Sequence, residues 1–371
     1  MLYMRKAKIW VLLVGMAIGT MALSASLQME ILPRIDSFFE TSFQNHLFSG
    51  DVLLSMNGKV VFHESYVSDG QHAERASNPA LRFRIATLSC PFTATLVMLA
   101  QQQGLLSVQD AVSRFFPEVP AASQMCVQDL LQNTSGIGDY SLGKDFQQNV
   151  RDPVSGELDR EMLLQAIQKQ ERRFAPGERF ELSFSNYALL ALILEQASGK
   201  RFEELLHEWI LDPLHMDSTG LDHGGYDSSW AMGTLAGKSR MEFPMEALFG
   251  SAQMYSTTND LYRFDRSLRE GQLLPFSEQG QMYAVDPELF INDILGGYGF
   301  GWYVNNMQIG ENVYPVVFQP GSVPGYTVAM MRVLVPDVTV IILCNNEGFD
   351  MYNAVTYVLE ELLEPESQEG S

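Results

Sequence analysis

Strand-like alternation stands at both ends of this chain, and helical spacing fills the middle. Gly50 to Met56 alternates, Asn57-Gly58 supplies a two-residue turn, and Lys59 to Tyr66 alternates again, which predicts a β-hairpin. At the far end, Val313 to Phe318, Thr327 to Val335 and Val338 to Cys344 read as strands, and Asn353 to Leu363 as a closing helix. A βαβ repeat would set a helix after every strand, so this order excludes it. The expectation is an α/β protein of the α+β kind: an antiparallel sheet from about 50–66 and 313–345, with a helical region of about 88–290 inserted between its halves.

Ile31 to Phe48 reads as a helix ahead of the hairpin, and the polar residues 67–81 as a loop. The stretch from Arg82 to Pro120 then joins an extended arm to a buried helix. Phe83 and Ile85 alternate with Arg84, and Phe92, Leu96, Leu99 and Ala100 recur at helical spacing as far as Gly104. Thr87 or Ser89 is placed to cap this helix; with Ser89 as the cap, Pro91 falls in the tolerated first turn and position 87 falls outside it. Unpaired N–H groups at a helix start favour negative charge, so an oxygen or sulfur held there suits an acyl-transfer nucleophile. Downstream, 143–173 is polar and helical, Phe174 to Phe180 is a turn, and an apolar helix follows to Ser198 and an amphipathic one from Phe202 to Met216.

Several of these stretches resemble one family. Phe83-Arg84-Ile85-Ala86-Thr87-Leu88-Ser89-Cys90-Pro91-Phe92-Thr93-Ala94 is similar to the F-R-I-G-S-x-T-K-x-F-T-A of the serine β-lactamase-related proteins, a group that includes class C β-lactamases, D,D-peptidases and related esterases. Leu130 to Tyr140 resembles L-L-x-H-T-S-G-L-x-D-Y, with Asn133 where His is usual; Asn133-Thr134-Ser135 is also a glycosylation sequon. Tyr298-Gly299-Phe300-Gly301-Trp302 fits the family's Y-G-x-G-W strand entry and lacks the G-x-G-x-x-G spacing of a phosphate loop. The resemblance covers about Gly50 to Gly348. It implies a central antiparallel sheet with helices on both faces, a mostly helical subdomain and a cleft between them.

Hydrolysis in that family needs a hydroxyl nucleophile, an amine to take its proton, a phenol, and a Lys or His on a strand. By the resemblance, these four positions are Thr87, Cys90, Phe184 (in Phe184-Ser185-Asn186) and Gln319 (in Gln319-Pro320-Gly321). Cys90 is no cation and Phe184 carries no proton, and groups that act as a unit fail together. The implied reading is a pseudoenzyme that binds a peptide, cell-wall fragment, small acyl ligand or partner protein through Thr87, Asn186, Gln319 and Gly321. The alternatives are an enzyme of altered mechanism, with Cys90 or Thr87 as nucleophile, and an interaction domain whose cleft is filled by its own side chains, Phe184 among them.

Composition narrows the setting. The basic Arg5, Lys6 and Lys8, the apolar run Ile9 to Leu23 and the small Ala22, Ser24 and Ala25 form a signal-peptide pattern over residues 1–25, with a membrane anchor over 9–27 as the alternative. Export of one domain, residues 26–364, followed by an acidic tail at 365–371, is the expectation. A formal charge of −21 argues against nucleic acid as a partner. Cys90, Cys126 and Cys344 cannot all pair with one another, so they are either one disulfide and a free thiol or three small packed side chains. The six His residues show no metal-binding spacing, and no cofactor is expected.

Overall fold

The computed structural model describes residues 27–67, 81–143 and 158–364. The expected export segment, most of the 67–81 loop, the first part of the polar segment 143–173 and the acidic tail lie outside the described residues.

Helix α1 (Leu32–Gln44) buries Ile35, Phe39 and Phe43 on one stripe. Strands β1 (Gly50–Met56) and β2 (Lys59–Ser65) form the hairpin, with Asn57 and Gly58 at φ of 50° and 72°, as a two-residue turn between right-twisted strands requires. Strand β3 (Phe83–Arg84) leads through a 3-10 turn, Ala86–Leu88, into α2 (Ser89–Gln102). The helical middle continues with α3 (Val127–Leu131), α4 (Arg160–Gln168), α5 (Phe184–Ser198) and α6 (Phe202–Leu206). Four short strands follow: β4 (Gly220–Leu221), β5 (Thr234–Leu235), β6 (Lys238–Ser239) and β7 (Met254–Ser256). Then come α7 (Thr258–Arg269), α8 (Phe276–Met282), β8 (Gly297–Tyr298), β9 (Tyr303–Ile309), β10 (Asn312–Val323), β11 (Tyr326–Val333), β12 (Val338–Cys344) and α9 (Met351–Leu363).

The main sheet has seven antiparallel strands in the order β2-β1-β12-β11-β10-β9-β8. Pairing of Gly50 with Cys344 through Met56 with Val338 joins the two ends of the chain at its centre. Every residue of β12 is buried, because helices cover both faces of the sheet. Arg332 and Thr339 reach Asp265 of α7 on one face, and Ala329 and Met331, out of phase with Arg332, lie with Met351 and Val355 of α9 on the other. A small sheet, β3-β7-β4, lies inside the helical middle.

Three details differ from expectation. Strand β10 runs on to Val323 because β11 pairs with it well past Phe318, where its pairing with β9 ends. Pro320 is accommodated on that one-sided stretch, as proline is at a sheet edge. Strand β9 escaped the sequence reading because Asn305, Asn306 and Gln308 mask its alternation. Lastly, neither Thr87 nor Ser89 caps α2: the chain is already helical at Leu88, and the Ser89 hydroxyl donates to the Ala86 carbonyl at 2.7 Å while accepting the Met254 N–H. Pro91 therefore sits in the first turn of α2 without taking Thr87 and Cys90 off the same helical run.

Buried charges pin these layers. Arg84 and Asp222, both fully buried, pair at 2.8 Å, and the guanidinium also donates to the carbonyls of Met241 and Phe243. Asp51 on β1 has no such counterion among the described residues. Burial pushes its carboxyl up to about 7, with the Ser65 hydroxyl opposing more weakly. The folded state therefore favours the protonated acid: its contribution is complete below the pH at which an unfolded aspartate titrates, and is lost as pH rises towards about 7. Asp51→Asn is expected to raise stability by up to about 4 kcal/mol near pH 8 and to change it little near pH 3. Urea denaturation at the two pH values checks this, and an equal effect at both would rule out ionisation as the cause.

Candidate functional site

Thr87 stands in the turn between β3 and α2, directly behind Ala86, which holds a φ of 50° that a side chain disfavours. The resembling family has glycine at that position, so the turn has been kept at a cost in backbone strain. Opposite lies the one-sided edge of β10. A Cβ built on Gly321 would come within 2.8 Å of Ala86 Cβ and 2.9 Å of Thr87 Oγ1, so only glycine lets the strand approach this closely. Thr87 is 7 % exposed, and its hydroxyl donates to the Pro320 carbonyl at 2.7 Å.

A backbone carbonyl accepts that hydrogen bond but does not take the proton, so the hydroxyl is held and not activated. Cys90, one turn along, is 1 % exposed with its thiol against the Ser251 carbonyl at 3.3 Å. Burial pushes the thiol far above its ordinary range, and the nearby Tyr298 hydroxyl offsets this only in part. A thiolate nucleophile at Cys90 is therefore not what the packing provides. Burial raises Tyr187 and Tyr298 likewise, Cys90 adding to Tyr187 against its hydrogen bond with Tyr298 and Tyr187 adding to Tyr298, and burial with Cys90 nearby pushes Tyr303 up to about 12. The group is a set of neutral hydroxyls and a neutral thiol.

Phe184 opens α5, half-buried, its N–H donating to Asp139 Oδ2 at 3.1 Å. Asn186 is 1 % exposed; its Oδ1 accepts from the Ser135 hydroxyl and its Nδ2 donates to Asn133 Oδ1 at 2.9 Å, so its amide is engaged within the protein. Asn133 is itself fully buried, which closes the sequon to modification. Gln319 is 1 % exposed and its Oε1 meets no donor. The structure thus brings Thr87 against Pro320 and Gly321, buries Cys90, Asn186 and Gln319, and leaves Phe184 partly open.

Sequence reasoning missed Asp139, which anchors the start of α5, and the aromatic run beside the site. In that run, Phe180 and Tyr298 have ring centroids 5.2 Å apart, Tyr298 and Tyr303 4.8 Å, and Tyr303 and Phe318 5.5 Å. Tyr298 had been placed only as part of a strand entry, and no local pattern signals that its ring meets Tyr303. All three cysteines are free thiols. Among the described residues, no three His, Cys, Asp or Glu side chains are grouped to hold a metal ion.

Residues 35–363 match the family model described as Beta-lactamase, and the chain belongs to that family. Penicillin-binding protein 4* of Bacillus subtilis (strain 168) is 27 % identical over 348 residues, which cover 89 % of this chain and 75 % of that one. Protein flp of Staphylococcus aureus (strain COL) is 24 % identical over 310 residues, covering 79 % of this chain but only 59 % of its own length. Among solved structures, D-amino acid amidase from Ochrobactrum anthropi SV3 superposes with a TM-score of 0.76 at 22 % identity, covering 90 % of this chain and 98 % of that one. The penicillin-binding protein from Bacillus halodurans does so with a TM-score of 0.71 at 21 % identity, covering 86 % and 98 %. At these identities the superpositions establish the fold.

The burial of the thiols has a direct readout. Iodoacetamide is expected to modify half-buried Cys126 first, and Cys90 and Cys344 only on unfolding, while Cys90→Ala lowers stability by about 1 kcal/mol. Peptide mapping after timed alkylation checks the order. Rapid labelling of Cys90 in the folded protein would restore the thiolate reading.

Proposed function

We propose that this protein is a non-hydrolytic member of the beta-lactamase family, a pseudoenzyme that acts by binding. One observation carries the reading: the hydroxyl at the nucleophile position donates to the Pro320 carbonyl at 2.7 Å, and the position of the family's amine holds a buried thiol. General acid–base assistance contributes about 10² to 10⁴ in rate, and here the proton acceptor, the phenol and the strand histidine are all replaced. The neighbouring amidase fold supports a hydrolytic ancestry, and Thr87 keeps a hydroxyl, but that hydroxyl has no base.

The ligand surface in this reading is the edge of β10 from Gln319 to Ser322. Past Phe318 no strand pairs with β10 on the side facing Ala86 and Thr87; Thr87 takes up the Pro320 carbonyl there, and Pro320 and Ser322 are exposed. A peptide or small acyl chain laid along such an edge takes up its free main-chain groups. The basic, apolar and small-residue order of residues 1–25 supports an extracytoplasmic setting, with residues 9–27 as a tether if they are retained.

A fluorescent penicillin is expected to leave the purified protein unlabelled, because acylation needs an activated hydroxyl at position 87. Intact-mass analysis reads the result, and a stoichiometric adduct at Thr87 would overturn the proposal. Conversely, Thr87→Ser, Cys90→Lys, Phe184→Tyr and Gln319→His in one chain should give measurable ester hydrolysis, each alone giving almost none. A folded quadruple variant without activity would mean that the backbone, and not only the side chains, has left the catalytic arrangement.

A further inference from the structure

One cavity among the described residues lies away from the old cleft. It has a volume of about 650 Å³ and shares no residue with Thr87, Cys90, Phe184 or Gln319. Phe249 and Leu221 form apolar wall, and charged groups of both signs converge on it from α6 and the segments around Leu221 and Glu246.

Its positive groups are already engaged. Arg160 is held by both oxygens of Glu195 at 3.2 Å and lies over the Phe249 ring at 4.2 Å. His223 shares its proton with Glu203 at 3.2 Å, and that hydrogen bond raises the ring's affinity for the proton. Two acceptors are left without a donor. Gln253, a residue of the cavity lining, is 2 % exposed; its Nε2 donates back to the Asp222 carbonyl at 3.3 Å, and its buried Oε1 has no partner. Glu246 is half-buried in the same wall; its charge adds to the raised proton affinity of His223, but it forms neither an ion pair nor a side-chain hydrogen bond among the described residues.

A buried acceptor without a donor costs about 1–3 kcal/mol, and an unpaired carboxylate beside it favours a cation. What completes the cavity is therefore a positively charged donor. An anion would find Arg160 held by Glu195, Arg201 3.8 Å from the same carboxylate, His223 on Glu203 and His207 on Asp212, and among the described residues no three ligating side chains are grouped for a metal. We propose that this cavity binds a small primary amine, with Glu246 and Gln253 receiving its ammonium and its carbon chain lying against Phe249 and Leu221. The site is independent of the old cleft, so it stands or falls separately from the pseudoenzyme reading.

Titration calorimetry of the full chain with n-pentylamine, 1,5-diaminopentane and, as a neutral match, n-pentanol tests this. The amines are expected to bind with a Kd of about 1 mM or tighter, and pentanol to give no measurable heat. Glu246→Gln and Gln253→Leu should each weaken the amines about tenfold or more, while Ser322→Ala on the β10 edge leaves them unchanged. Glu246 is only half-buried, so Glu246→Gln decides the matter even if Gln253→Leu fails to fold, provided its Tm matches that of the parent. Equal binding of pentanol, unaltered affinity in folded Glu246→Gln, or no heat from either amine up to about 10 mM would overturn the proposal.

Discussion

The pairing of β1 with β12 holds this molecule together. Seven consecutive residue pairs, Gly50 with Cys344 to Met56 with Val338, bring the chain's two ends side by side in the middle of the sheet. The pairing is non-local, so its loop-closure entropy is offset by deep burial, and β12 is accordingly buried on both faces and apolar but for Thr339. Everything between, from β3 to β11, is then a long insertion whose two ends are fixed relative to each other. That is why a turn at Ala86 can face a strand edge at Gly321 across more than 200 residues of sequence.

Buried ion pairs set the insertion's orientation on the sheet. Arg84 is enclosed with Asp222 and ties β3 to the segment that precedes β7. On the other side, burial alone would push the Asp265 carboxyl up, but Arg332 and Arg269 reverse this and hold it below its usual range. Removing one partner of such a pair leaves a lone buried charge, a loss of about 3–5 kcal/mol, so these contacts specify geometry more strongly than their net stabilisation suggests. Arg84 lies three residues before Thr87, and Arg332 lies on β11, which pairs with β10, so both contacts hold segments that meet at Thr87 and Gly321.

Within that frame the replaced residues behave as packing. Cys90 is shorter than the lysine of the resembling family, and its thiol lies against a backbone carbonyl and the tyrosine hydroxyls around it. The β10 edge closes down on Thr87 through Gly321 and Pro320. The unmatched Oε1 of Gln319 is what remains of a position that in the family handles a proton.

Much of this was legible in the chain itself. Alternation at the two ends and helical spacing between them dictated an antiparallel sheet with an insertion, because side-chain period and strand order are local properties. By resemblance, the motif register aligns Thr87, Cys90, Phe184 and Gln319 with the family's reactive positions. Packing decided the rest. That Thr87 donates to Pro320, 233 residues away, that Cys90 and Asn186 are sealed, and that Gln253 and Glu246 share one cavity all depend on which distant segments meet. Burial and hydrogen-bond partners belong to the assembled layers, and no local spacing encodes them; β9, with its polar face, shows the same limit for a strand held by its neighbours.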